Sequence, residues 1–128
     1  MENNASKELS VLIVEDNDMF LNLAAEMLQG HKVATAKTGN DGINKFKYNN
    51  PDITFLDIGL PDKDGHAVLA EILAINKNAF VIMLTSSNLK KDVEASFQKG
   101  AKGYIIKPFS RKKIKDSIDN YIKFKDKK

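Results

Sequence analysis

Five short apolar runs, each followed by a stretch with apolar residues at helical spacing, constrain this chain more than any other feature. The runs are Val11–Val14, Val33–Ala36, Ile53–Leu56, Phe80–Leu84 and Tyr104–Ile106. Strands this apolar require cover on both faces, which antiparallel hairpins open to water do not provide. Between them, Phe20, Leu23, Ala24, Met27 and Leu28 mark a first helix, and Ile43 and Phe46 a second. Leu69, Ile72 and Leu73 mark a third, with Asn76 at its polar end. Leu89, Val93 and Phe97 are predicted to face inward from a fourth. Ile114, Ile118, Tyr121 and Ile122 share one face of a fifth. Gly30, Asn49-Asn50-Pro51 and Gly100 supply stops, while Glu15 to Asp18, Thr85 to Asn88 and Ser110 supply capping groups. Strict alternation of strand and helix calls for an α/β fold, a parallel sheet with helices on two faces. Periodicity does not reveal the strand order.

A chain of 128 residues fits one domain, here expected over 9–124 with 1–8 and 125–128 as flexible termini. No apolar run approaches the roughly 20 residues that span a bilayer. The opening residues are polar and include Glu2 and Glu8, unlike a secretory signal. The chain has no cysteine, which excludes disulfides and thiolate metal sites and permits a reducing compartment. A cytoplasmic setting is the default. The net charge of +3 owes much to the end of the chain, where eight cations from Arg111 to Lys128 face only Asp116, Asp119 and Asp126. Without a DNA-reading motif this reads as a solvated helix face, and no direct nucleic-acid binding is expected. With only a few residues after the fifth helix, no output domain is expected within these residues.

Chemistry concentrates where the strands end. The run Ile53–Leu56 delivers Asp57 to a sharp turn made by Gly59 and Pro61. Glu15 and Asp16 follow the first strand, Thr85 the fourth and Lys107 the fifth. In a parallel sheet these residues share one edge, the edge at which open α/β sheets bind ligands. An acid after a strand is ordinarily a helix cap; the coincidence of several at one edge carries the weight. Three adjacent carboxylates repel unless a cation neutralises them. Oxygen donors with no His or Cys beside them favour Mg2+, or Mn2+, over zinc or copper. Lys107 adds a fixed positive charge, and Thr85 a hydroxyl able to donate to a phosphoryl oxygen. Together these groups describe acyl-phosphate formation on Asp57.

The residues that carry these groups resemble the response regulator receiver domain of two-component signalling. The matching pieces are Val-Glu-Asp-Asn at Val14–Asn17, Asp-Ile-Gly-Leu-Pro-Asp-Lys-Asp-Gly at Asp57–Gly65, Leu-Thr-Ser at Leu84–Ser86, and Gly-Tyr-Ile-Ile-Lys-Pro-Phe at Gly103–Phe109. Singly they are weak; their order and spacing over nearly the whole chain are specific. The resemblance implies a flavodoxin-like fold with strand order 2-1-3-4-5. It implies phosphoryl transfer to Asp57 from a histidine kinase or histidine phosphotransfer protein. It also implies that Glu15 and Asp16 hold the metal with Asp57, Glu15 directly or through water, and that the Gly59 carbonyl completes the set. Lys107 would pair with the carboxylate and then the phosphoryl group, and the Lys107–Pro108 bond would be cis, an isomer that proline makes accessible. Thr85 and Tyr104 match the family's switch pair, which repositions a protein-binding face formed by the fourth helix, fifth strand and fifth helix. From the residues alone, Tyr104 reads as a core aromatic.

Ser86 departs from the small residue usual after the switch hydroxyl. Gly59 and Ser87 stand where the family's modulators of phosphoryl lifetime lie, and neither can orient or block water with a long side chain. His66 is expected at the surface, and Met19 in packing or on a partner surface. Two alternatives stand beside a stand-alone phosphorylated receiver. One is a pseudo-receiver used only for docking, which the intact Asp57, Lys107 and acidic pair oppose. The other is a flavodoxin-like flavin binder, whose phosphate the acids at Glu15, Asp16 and Asp18 would repel.

Overall fold

The computed structural model describes residues 8–127. In chain order the elements are β1 (Ser10–Val14), α1 (Asp18–Met27), β2 (Lys32–Ala36), α2 (Gly39–Asn49), β3 (Ile53–Asp57), α3 (Gly65–Ile75), β4 (Val81–Thr85), α4 (Lys90–Gln98), β5 (Gly103–Ile106) and α5 (Arg111–Asp126). The strands form one sheet in the order β2-β1-β3-β4-β5, and every pairing is parallel.

Alternation along the strands builds two separate cores. From β1, Val11 and Ile13 turn to one side and join Leu21 and Ala24 of α1, Leu28 just after it, and Ile114 of α5. Leu12 and Val14 turn to the other and join Ile43, Phe46, Val68, Leu69 and Ile72 from α2 and α3. The same period of two runs through β3, where Ile53 and Phe55 lie in the first core and Leu56 in the second. Cover on both faces leaves all five residues of β3 and of β4 buried.

Most helices start from a local cap. Asn17 accepts from Phe20 N–H at α1, Thr38 from Asp41 N–H at α2, Asp64 from His66 N–H at α3 and Ser110 from Lys113 N–H at α5. α4 is the exception: Leu89 occupies the capping position and makes no side-chain capping bond.

The predicted inward face of α4 requires correction. Leu89 is 54% and Phe97 47% exposed, Val93 is half-buried, and the helix buries Ser96 instead. Helical spacing reveals which residues share a face, not which way that face turns. The buried Ser96 Oγ is paired with His66 Nε2 in a hydrogen bond of 2.9 Å. His66 is therefore half-buried between α3 and α4, not a surface residue as the sequence led us to expect. Ile122, predicted on the inner face of α5, is also largely exposed.

Candidate functional site: an acidic edge with one buried lysine

The parallel register carries the chemically distinctive residues to one edge. Val14 pairs with Leu56, Asp57 with Leu84, and Thr85 with Ile106, so the strand ends lie side by side. Asp57 and Thr85 are the last residues of β3 and β4; Glu15 and Lys107 come directly after β1 and β5. Glu15 is wholly buried, Asp57 is 6% exposed and Asp16 is open to solvent. One carboxylate oxygen from each of Glu15, Asp16 and Asp57 lies within 4.8 Å of the others.

Lys107 enters this cluster as its counter-charge. Its Nζ lies 2.5 Å from Glu15 Oε1 and 3.4 Å from Asp57 Oδ2, with the side chain only 7% exposed. Glu15 Oε1 makes no well-aligned hydrogen bond beyond that ion pair, whereas Oε2 accepts from Asn17 N–H at 3.0 Å. Burial pushes the Glu15 carboxyl above its ordinary range, and the charge of Asp57 adds to the rise; Lys107 and the Asn17 N–H oppose it. Nζ also sits 4.7 Å from the centroid of the Phe20 ring, which itself packs against Phe109. An aromatic face over an ammonium with little access to water is an attractive contact. Phe20 was legible in the sequence only as a core residue of α1.

The donor set suits a hard divalent cation. It consists of carboxylate oxygens at one edge, with no histidine or cysteine among them, and the buried Glu15 Oε1 keeps acceptor capacity beyond its ion pair with Lys107. Gly59 lies in the adjoining loop, where its N–H faces Asp57 Oδ1 at 3.4 Å. The loop closes through a bridge between Gly59 and Asp64 and a 2.7 Å bond from Gly65 N–H to the Ile58 carbonyl. Glycine is required at 65, because a Cβ there would collide with the backbone of Asp57 and Ile58. The loop is anchored at a distance too. Asp62 accepts from Gly39 N–H and Asn40 N–H, at 2.7 and 2.9 Å, at the first turn of α2. Those two donors hold its carboxyl below the usual range.

Thr85 and Tyr104 are joined through Ser87. Thr85 Oγ1 accepts from Ser87 N–H at 3.2 Å, and the Tyr104 hydroxyl donates to the Ser87 carbonyl at 3.0 Å. Burial raises the Tyr104 phenol above its ordinary value. Tyr104 is half-buried and lies against the second core. The Lys107–Pro108 peptide is cis. Met19 is exposed and belongs to neither core. None of the described helices is long and apolar enough to cross a membrane.

The family described as the response regulator receiver domain matches residues 11–119. The chain belongs to that family. This receiver domain is 36% identical over 118 residues to a chemotaxis protein CheY of Treponema pallidum, across 88% of this chain and 82% of that one. It is 32% identical over 127 residues to a probable C4-dicarboxylate response regulator DctR of Bacillus subtilis, across 96% of this chain but 56% of that protein. Among solved structures it resembles a chain of the CheX-CheY-BeF3-Mg+2 complex from Borrelia burgdorferi. That match has a TM-score of 0.82 and 32% identity, covering 89% of each chain. The receiver domain thus combines a flavodoxin-like sheet of order 2-1-3-4-5 with an acidic group at Glu15, Asp16 and Asp57.

Proposed function

We propose that Asp57 accepts a phosphoryl group from a phosphohistidine of a histidine kinase or phosphotransfer protein, in a Mg2+-dependent reaction. The observation that carries this reading is a nearly buried Asp57 carboxylate with Lys107 Nζ at 3.4 Å and two further acids within reach. In the reaction an Asp57 oxygen bonds to phosphorus as the P–N bond breaks. The imidazole leaves with its bonding pair and takes a proton from solvent.

Glu15, Asp16, Asp57 and the Gly59 carbonyl would hold Mg2+, or Mn2+, which when bound neutralises the acids and the incoming phosphoryl oxygens. Lys107 supplies a charge that follows the phosphoryl oxygens, steadied by Glu15 and the Phe20 ring. Thr85 offers its hydroxyl hydrogen to the same oxygens, and Tyr104 responds as its partner in the switch. Such a protein catalyses its own phosphorylation and dephosphorylation rather than turning over a separate substrate. With Gly59 and Ser87 at the flanking positions, neither side chain screens Asp57 with bulk.

The receiver unit spans 9–124 and works in the cytoplasm by protein contact. The face formed by α4, β5 and α5 suits the downstream target, since Leu89, Phe97 and Ile106 are exposed there. Acetyl phosphate with Mg2+ should add one phosphoryl group to the intact chain by mass spectrometry, and Asp57→Asn should abolish the gain. An unmodified wild-type chain under those conditions would overturn the reading and favour a docking module that is never phosphorylated. The carboxylate cluster would repel a flavin phosphate, which weighs against that alternative.

A further inference from the structure

Ser87 uses every polar group it has, each on a different partner. Its N–H donates to Thr85 Oγ1 at 3.2 Å and its carbonyl accepts from the Tyr104 hydroxyl at 3.0 Å. Its own hydroxyl donates to Asp92 Oδ2 at 2.5 Å and accepts from Leu89 N–H at 3.3 Å. One residue thereby joins the end of β4, the aromatic of β5 and the first turn of α4. The bond to Asp92 is short and charge-assisted, the strongest kind available to a serine. Asp92 is also well placed in the first turn, where a negative charge is favourable.

We infer that Ser87 and Asp92 form a clasp that sets the position of the loop between β4 and α4 and, through it, of Tyr104. Asp92 is a positioning residue: it touches neither the acidic edge nor Lys107, and acts by holding Ser87. α4 makes this clasp consequential. The helix has no side-chain cap of its own and contributes no buried apolar residue to either core. Polar contacts therefore decide where its first turn lies. Thr85 Oγ1 accepts from Ser87 N–H, so the clasp also bears on where that hydroxyl lies. The consequence for signalling rests on the phosphoacceptor reading of Asp57; the clasp itself does not.

The test uses the full chain with 13C-labelled tyrosine, the Tyr104 ring signals being assigned with Tyr104→Phe. Wild type is compared with S87A, D92A, D92N and the S87A/D92A double variant. Without any ligand, the Tyr104 signals should move in S87A and in D92A, and no further in the double variant, since either change opens the same link. D92N should stay close to wild type, because its amide oxygen still accepts from the Ser87 hydroxyl. On adding beryllofluoride and Mg2+, the response of Tyr104 should fall at least about twofold in S87A and D92A, while mass spectrometry still records phosphoryl uptake from acetyl phosphate by D92A. Tyr104 signals that stay at their wild-type positions in both single variants, or shifts that simply add in the double variant, would overturn the clasp. Absence of phosphoryl uptake by wild type would instead overturn the role of Asp57, and the ligand-free comparison would still decide the clasp.

Discussion

Helices α3 and α4 are of similar length and follow adjacent strands, yet they are held by different forces. α3 buries Val68, Leu69 and Ile72 completely against the second core. α4 buries only Ser96 and leaves Leu89 and Phe97 half open to water. α3 is thus held by area removed from water, a non-directional force that tolerates little displacement in a close-packed core. α4 is held by directional polar contacts, His66 to Ser96 and Ser87 to Asp92. Such contacts can be exchanged for others at modest cost, so α4 is the more easily displaced of the two helices. The acidic edge at Asp57 stands on the rigid side of this division, and the exposed apolar side chains Leu89 and Phe97 on the adjustable side.

The contrast between the two helices can be measured. Leu69→Ala should cost about 2–5 kcal/mol in chemical denaturation, whereas Phe97→Ala should stay within about 0.5 kcal/mol. Equal losses would remove the distinction between the two helices. Amide hydrogen exchange should run at least about tenfold faster in α4 than in α3, as expected of an element with few buried apolar contacts. Cleaving the His66–Ser96 link with Ser96→Ala should cost about 1 kcal/mol and speed exchange in α4 but not in α3. A uniform rise in both helices would mean that the link stabilises the whole domain and does not tether α4 in particular.

The opposite end of the sheet supplies a control that should leave α4 unaffected. Burial, with the charge of Asp52 behind it, pushes the Tyr121 phenol from 10.0 up to about 12. The folded state therefore binds this proton more tightly than the unfolded chain. Its contribution is complete below pH 10 and is lost as pH rises through about 12. Tyr121→Phe should flatten the alkaline stability curve in that window and leave α4 exchange near neutral pH untouched.

Much of the fold was open to inspection in the chain itself. Val11–Val14 and Ile53–Leu56 are too apolar to face water on either side, and a parallel sheet with helices on both faces is the arrangement that covers them. The candidate site was legible for a related reason. In such a sheet every strand ends at the same edge, so Glu15, Asp16, Asp57, Thr85 and Lys107 fall together once the alternation is recognised.

Other features depended on contacts between residues far apart in the chain. The Phe20 ring beside Lys107, Asp62 at the first turn of α2 and His66 on Ser96 each join elements that local periodicity treats separately. The direction of α4 belongs with them. Leu89, Val93 and Phe97 share a helical stripe, but a stripe specifies an apolar face without specifying its orientation. Strand–helix alternation and the acid-lined edge could be read from the chain alone, because burial and β-strand periodicity are properties of short segments. That α4 turns Ser96 inward toward His66 emerged from the assembled fold, because the direction of that hydrogen bond is set by where distant backbones come to lie.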